Sequence, residues 1–512
     1  MIILKTQDGV LDPADEGQFT ALEQRLKAGD VSLLLHLHGG LVDEAHGVKI
    51  ATDLGGDPPL GFGLGEAWED VFVLWRTGFL ETLETNWTDL FDNDRLYKTL
   101  LKRLLDFAVS KLGVPSQGGR SLFAAMDLSP TEIEQRLDAK PEGDPFADID
   151  LSLGIDKPGG RGPVVAAQTD VQIAQDFMTR LQQDREFNRA VDDIAAALAF
   201  DTESSRSLSK RGDPDKGALA FKHLDAPIKE QLLAATPPER EGRALFTGVQ
   251  AGVFILEHAG KVAVRVIKRF RTKRDHGFYA TVVEELVREL YGDLIGAAVW
   301  GFMKTDAADH FKAGALGDRL LNLLAAHPPK TLAVNGHSAG SIWASQMLIA
   351  MDGRAGLPPI RLSFMAPAVR TDLFAQALDK SRDRIAAFRM FTMRDELERI
   401  DAVLGKKYGF LYPSSLLYLI SGVLEDRNAA AFADAPILGL QRFLTGNAAW
   451  VADAEEIAAI GKVMALLAAP TSGLVLSQVS GGPGLSSQAT SHGGFDQDAD
   501  TVASVALFAR PQ

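Results

Sequence analysis

The sequence predicts an α/β protein, a mostly parallel sheet flanked by helices, with a large helical insertion before one central strand. Three observations predict it. Short, nearly continuous apolar runs recur at 31–37, 71–75, 331–335, 361–366, 387–393 and 474–480, as expected of strands buried on both faces. Stretches of helical periodicity separate several of these runs, the pattern of a sheet with helices on both sides. The run Thr331-Leu332-Ala333-Val334 also leads through Gly336-His337-Ser338-Ala339-Gly340 into an unbroken helical stretch, Ser341–Met351, which Asp352-Gly353 stops.

Along the chain, Met1–Lys5 is a candidate edge strand, and the strand at 31–37 runs into His38-Gly39-Gly40-Leu41. After the strand Val71–Trp75 come about 250 residues before Thr331, where a crossover helix needs only about a dozen. Residues 85–290 therefore read as an insertion, with 1–84 and 291–512 forming the core. Helices are expected there at Arg95–Lys111, Thr131–Arg136, Asp170–Phe200, Arg243–Phe270 and Tyr279–Tyr291. Two loops interrupt them, Pro141–Pro163, rich in Pro, Gly and Asp, and Asp201–Gly217, rich in Ser and charge. Because the later connection Ala368–Arg384 is short, a cap over any site must come from this early insertion. A second helical excursion, Glu398–Ala468, carries Tyr408, Tyr412 and Tyr418, which read as packed core rather than as a pocket wall. A helix over Thr501–Ala509 closes the chain.

The chemistry centres on Ser338. Glycines two residues to either side leave room for a sharp, strained turn that lifts a serine above a sheet. With 48 glycines in 512 residues, such a pattern arises by chance roughly a quarter of the time, so the strand and helix around it carry the inference. A serine needs a base, and of the 10 histidines only His492 lies beyond it, in a Gly/Ser-rich loop after the last strand. The acid that orients this base is expected just past the strand 387–393. That selects Asp395, with Glu396 as close competitor and Asp372 third. Oxyanion donors are expected from the N–H of Ala339 and from Gly39 or Gly40, with His38 bracing that loop and His337 in a supporting role.

Strand-H-G-G, strand-G-H-S-A-G-helix, strand-Asp and a late loop His, in that order, resemble the α/β-hydrolase superfamily of serine hydrolases. The His38-Gly39-Gly40 element resembles the H-G-G-G oxyanion loop of esterases and lipases, with Leu41 at its fourth position. Ser491–Asp496 and Tyr412–Leu419 look like segments of large, poorly characterised bacterial members. The resemblance implies a carboxylic ester hydrolase that works through an acyl-enzyme, with Ser338, Asp395 and His492 as triad and no metal or cofactor. An acyltransferase, an amidase or peptidase, and a non-catalytic binding protein on the same fold are the alternatives, and the natural substrate stays open.

Composition narrows the partners. A net charge of −15 argues against nucleic acid, and the partner that the serine-hydrolase resemblance implies is a small-molecule ester with an apolar acyl or alcohol part. Arg265, Lys268, Arg269, Arg271, Lys273 and Arg274 form a basic cluster that suggests a membrane surface or phosphorylated ligand, yet reads better as a solvated helix end. Asp144, Asp148, Asp150 and Asp156 match no calcium-loop spacing and read as solvated. The chain has no cysteine, which excludes disulfides and thiol catalysis. Met1–Thr6 lacks a secretory core, and Leu245–Ile267 is broken by Glu257, His258, Lys261 and Arg265, so a cytoplasmic location is expected.

Overall fold

The computed structural model describes residues 1–40, 44–75, 80–113, 128–153, 164–165, 168–198, 213–234, 243–425, 434–444 and 454–511. Its strands are β1 (Ile2–Gln7), β2 (Val10–Leu11), β3 (Ser32–Leu37), β4 (Trp68–Trp75), β5 (Leu112–Gly113), β6 (Val164–Val165), β7 (Leu332–His337), β8 (Ile360–Met365), β9 (Ile385–Thr392) and β10 (Ser472–Leu476). Eight form one sheet in the order β10-β9-β8-β7-β3-β4-β1-β2, while β5 and β6 make a separate short ladder. Every pairing in the large sheet is parallel except β1 with β2. Connections from β3 run outward to one side and those from β7 to the other. The crevice between their carboxyl ends is thus a topological switch point, where open parallel sheets hold ligands.

Alternation along the strands sorts the core into two layers. Leu33, Leu35, Leu332, Val334, Leu362 and Phe364 point into the larger cluster. Leu34, Ala333, Met365, Phe391 and Val475 point the other way, onto helices Glu44–Leu54 and Ala499–Ala509. The larger cluster continues without a break into the insertion through Trp87, Leu100, Phe177, Val262 and Val283. The expected boundary at 85 falls inside a helix, Leu80–Asn93, and the one at 290 ends the helix Phe278–Leu290.

Several helices begin and end where the sequence places them, and the exceptions have local causes. Asp170–Phe200 is two helices, Asp170–Gln183 and Arg185–Leu198, because Asp184 leaves helical geometry and its carboxylate caps the Phe187 N–H (2.8 Å). Pro141–Pro163 carries a short helix, Ala147–Leu153, while 154–163 and most of Asp201–Gly217 lie outside the described residues. The excursion Glu398–Ala468 is largely irregular, with Ala454–Leu467 as its one long helix among the described residues. Tyr412 and Tyr418 are buried, and Tyr412 stacks on Trp87 of the insertion at 5.5 Å.

Two charged groups read as solvated are in fact structural. Arg269 of the basic cluster is 0% exposed and binds Glu284 (2.6 Å), Asp434 (2.7 Å) and Glu285 (3.3 Å), and Arg265 reaches Glu285 and Glu289. A buried guanidinium needs carboxylates around it, and losing one partner of such a group costs about 3–5 kcal/mol. Asp150 accepts the Phe278 N–H (2.6 Å) at the start of helix Phe278–Leu290, and Asp144 accepts the Phe146 N–H (2.7 Å). Asp148 is exposed and forked by Arg136, and Asp156 lies outside the described residues. Among the described residues no helix is long and apolar enough to cross a membrane.

Inside the insertion, His223 bridges Asp94 and Asp89, 3.0 Å to each, and Asp94 also caps helix Arg95–Lys111 through the Tyr97 N–H. Burial opposes charge on this ring, but the hydrogen bonds and charges of Asp94 and Asp89 outweigh it, so His223 titrates above its ordinary range. A raised folded-state value gives stability that is complete below the unfolded value near about 6.5 and is lost as pH rises through the folded one. His223→Gln should therefore lower the Tm most at mildly acidic pH, with the gap to the parent closing in alkaline buffer. Thermal melts across pH check this, and a gap that widens with pH contradicts it.

Candidate active site

Ser338 stands at the tip of the turn from β7 into helix Gly340–Ala350 with φ of 49°, a left-handed backbone unusual for a non-glycine residue. Its backbone is held on every side. Its N–H donates to Met365 C=O (2.9 Å), and its C=O accepts from Ser341 N–H, Ser341 Oγ and Ala368 N–H. The flanking glycines follow from the same crowding. A Cβ on Gly336 would lie 2.9 Å from the Gly340 carbonyl, and one on Gly340 would lie 2.2 Å from Leu37 O at the end of β3.

The loop after β3 passes over this turn. A Cβ on Gly39 would meet Ser338 Cβ at 3.1 Å, and one on Gly40 would meet Ala339 Cβ at 2.9 Å and Met303 Cε at 2.4 Å. The His38 ring ties the loop to β4. Trp75 N–H donates to Nε2 (3.1 Å), which leaves the proton on Nδ1, and Nδ1–H donates to Gly39 C=O (2.6 Å). Burial lowers His38 to about 4, so the ring is a neutral brace. Carbonyl and N–H of a trans peptide point oppositely, so this grip turns the Gly40 N–H away from the ring. Ala339 N–H lies at the helix start, where amides lack intrahelical partners. Leu41 lies outside the described residues.

His492 Nε2 sits 2.8 Å from Ser338 Oγ, with the serine 3% and the histidine 6% exposed. Burial, reinforced by His337 and opposed by Asp496, lowers His492 to about 3. Its Nδ1 has no hydrogen-bond partner, and its backbone N–H donates to Asp401 Oδ2 (2.7 Å).

The structure does not bring the expected acids to His492. Asp395 accepts from Tyr418 Oη (2.6 Å) and Arg442 Nε (3.3 Å). Burial raises its carboxyl, but Arg442, Tyr418 and Arg399 outweigh that and hold it below the usual range. Glu396 is exposed, and Asp372 is paired with Arg370 (2.7 Å). Two carboxylates that the sequence did not single out lie nearer. Asp401 is raised to about 6 by burial, against the His492 N–H. Asp496 faces His337 Nδ1 at 3.6 Å. Its i+4 spacing from His492 was the available signal; Asp401 had none.

Among the described residues one cluster has the composition of a cation site. His276, Glu284 and Asp434 bring ligand atoms within 4.8 Å of one another, but Arg269 already binds both carboxylates, so the set is charge-paired. Comparison with family models, with curated proteins and with solved structures returns no match for this chain. The crowding predicts opposite outcomes at two glycines. Gly340→Ala should cost at least about 1–3 kcal/mol through overpacking. Gly461→Ala, in helix Ala454–Leu467 with nothing within 4 Å, should gain about 0.5–1 kcal/mol, both read from urea midpoints.

Proposed function

We propose that this chain is a serine hydrolase of the α/β-hydrolase type that cleaves a carboxylic ester through an acyl-enzyme. The observation that carries the reading is Ser338 Oγ, on a left-handed backbone at the switch point, 2.8 Å from His492 Nε2. Ser338 Oγ attacks the acyl carbon while its proton passes to His492 Nε2. The N–H groups of Ala339 and of Gly39 or Gly40 receive the oxyanion. His492 returns the proton to the departing alcohol, then takes one from water as the hydroxyl adds to the acyl carbon, and Ser338 is released. Three parts support this beyond the dyad: the glycine loop over the serine, the neutral His38 brace, and the strand order with β7 beside β3.

In this reading Asp401, rather than Asp395, is the carboxylate that fixes His492, through its backbone N–H. An imidazole held at about 3 is a weak base, and the carboxylate whose charge favours its protonated form is Asp496. Asp401 accepts the His492 backbone N–H rather than a ring N–H, and burial raises its own carboxyl to about 6. Asp395 is already neutralised by Arg442. Glu398, in the same turn, is fully buried, and burial pushes its carboxyl well above the usual carboxylate range.

The wild-type protein should take up a fluorophosphonate and turn over short p-nitrophenyl esters, and Ser338→Ala should lose labelling and about 10⁴-fold or more of kcat. Retained turnover in Ser338→Ala refutes the reading. Asp401→Ala, which removes the acceptor for the His492 N–H, should cut kcat about tenfold to hundredfold with little change in KM, whereas Asp395→Asn should act mainly through a lower Tm. The reverse pattern returns that role to Asp395.

A further inference from the structure

We propose that His337 and Asp496 form a buried imidazole–carboxylate pair that positions His492 through its backbone carbonyl and sets the charge it works against. The inference rests on the serine-hydrolase reading and extends it. His337 ends β7, one residue before the serine, and its Nε2–H donates to the His492 C=O at 3.1 Å. Its Nδ1 faces Asp496 Oδ2 at 3.6 Å. The two imidazoles lie face to face, 5.8 Å between centroids at 29°. All three side chains are buried, and Asp496 Oδ1 has no hydrogen-bond partner, so His337 is the cation at hand to answer this carboxylate.

The placement gives His492 three fixed points. Asp401 holds its N–H, His337 its C=O, and Ser338 meets its Nε2. Gly493 and Gly494 follow in the same short turn and provide no side-chain packing of their own, so the grip on the two His492 peptide groups must come from outside the turn. His337 and Asp496 are therefore positioning residues; neither reaches the reacting atoms.

The pair also acts electrostatically. Burial opposes charge on His337, but Asp496 and the His492 carbonyl outweigh it and raise its titration. Charge on His337 repels a second cation on His492 and Asp496 attracts one, so each offsets part of the other's effect on the base. The other groups bearing on this cluster are His36 of β3 and His38 just after it, both lowered by burial and neutral. His36 is further fixed by Asn335, which in turn accepts from Ser363. Asp401 accepts the His492 backbone N–H.

The test uses three variants of the full chain, each checked for folding by thermal melt and for an assembled site by fluorophosphonate uptake. His337→Leu removes donor and charge and should lower kcat about tenfold to hundredfold at nearly constant KM. His337→Gln keeps an N–H donor and should recover much of that loss. In both, Asp496 is left uncompensated, so the acid limb of the kcat/KM profile should move to higher pH by about one unit. Adding Asp496→Asn to His337→Gln should move the limb back. Folded, labelled variants with the parental kcat and pH profile overturn the proposal, as does a loss of kcat with no movement of the limb. A wild-type protein that takes up no fluorophosphonate counts instead against the serine-hydrolase reading.

Discussion

The left-handed backbone of Ser338 is the constraint on which the rest of the site depends. A non-glycine residue at φ of 49° persists only where its surroundings over-determine it, and here four hydrogen bonds to its own peptide groups do so. Two come from the helix that follows, one from Met365 at the end of β8 and one from Ala368 just beyond it. The strain is thus held by the parallel register of β7 with its neighbour and by the return of the helix onto the sheet. The same closeness leaves no room for a Cβ at Gly336 or Gly340, so the motif is the imprint of a packing problem as much as of a chemical one.

Around that turn the polar groups divide into satisfied and unsatisfied. His38 and Asp395 have their bonds and are fixed, one by β4 and Gly39, the other by Tyr418 and Arg442. His492 Nδ1 and Asp496 Oδ1 are buried without hydrogen-bond partners, an arrangement that costs stability where it does nothing else.

The insertion is joined to the core by more than apolar packing. Arg269 and Glu284 from the insertion meet Asp434 and Tyr412 from the excursion after β9, and Tyr418 of that excursion carries the link on to Asp395. The His276 ring stacks on Tyr418 at 4.0 Å and donates to Glu284, so the chain of contacts passes from a buried ion cluster to the loop that also bears Asp401. A run of basic residues at a helix end gives no sign of this, since their partners lie far away in sequence and the periodicity of one helix cannot report which face another element covers.

What the sequence determined by itself was local and periodic: six of the sheet strands from their apolar runs, the strained turn at Ser338 from its glycines, and His492 from chain order. Those features are written in adjacent residues, because strand alternation, helix spacing and turn chemistry act over a few positions. The tertiary structure alone decided which carboxylate meets the His492 backbone, that Asp395 is spent on Arg442 and Tyr418, and that His337 bonds the His492 carbonyl while facing Asp496. Pairings of that kind depend on distances between side chains remote in sequence, and a buried charge settles where the fold supplies its counter-charge. Asp395 and Asp401 lie in one loop after one strand, and only the packing of Tyr418, Arg442 and His492 around that loop tells them apart.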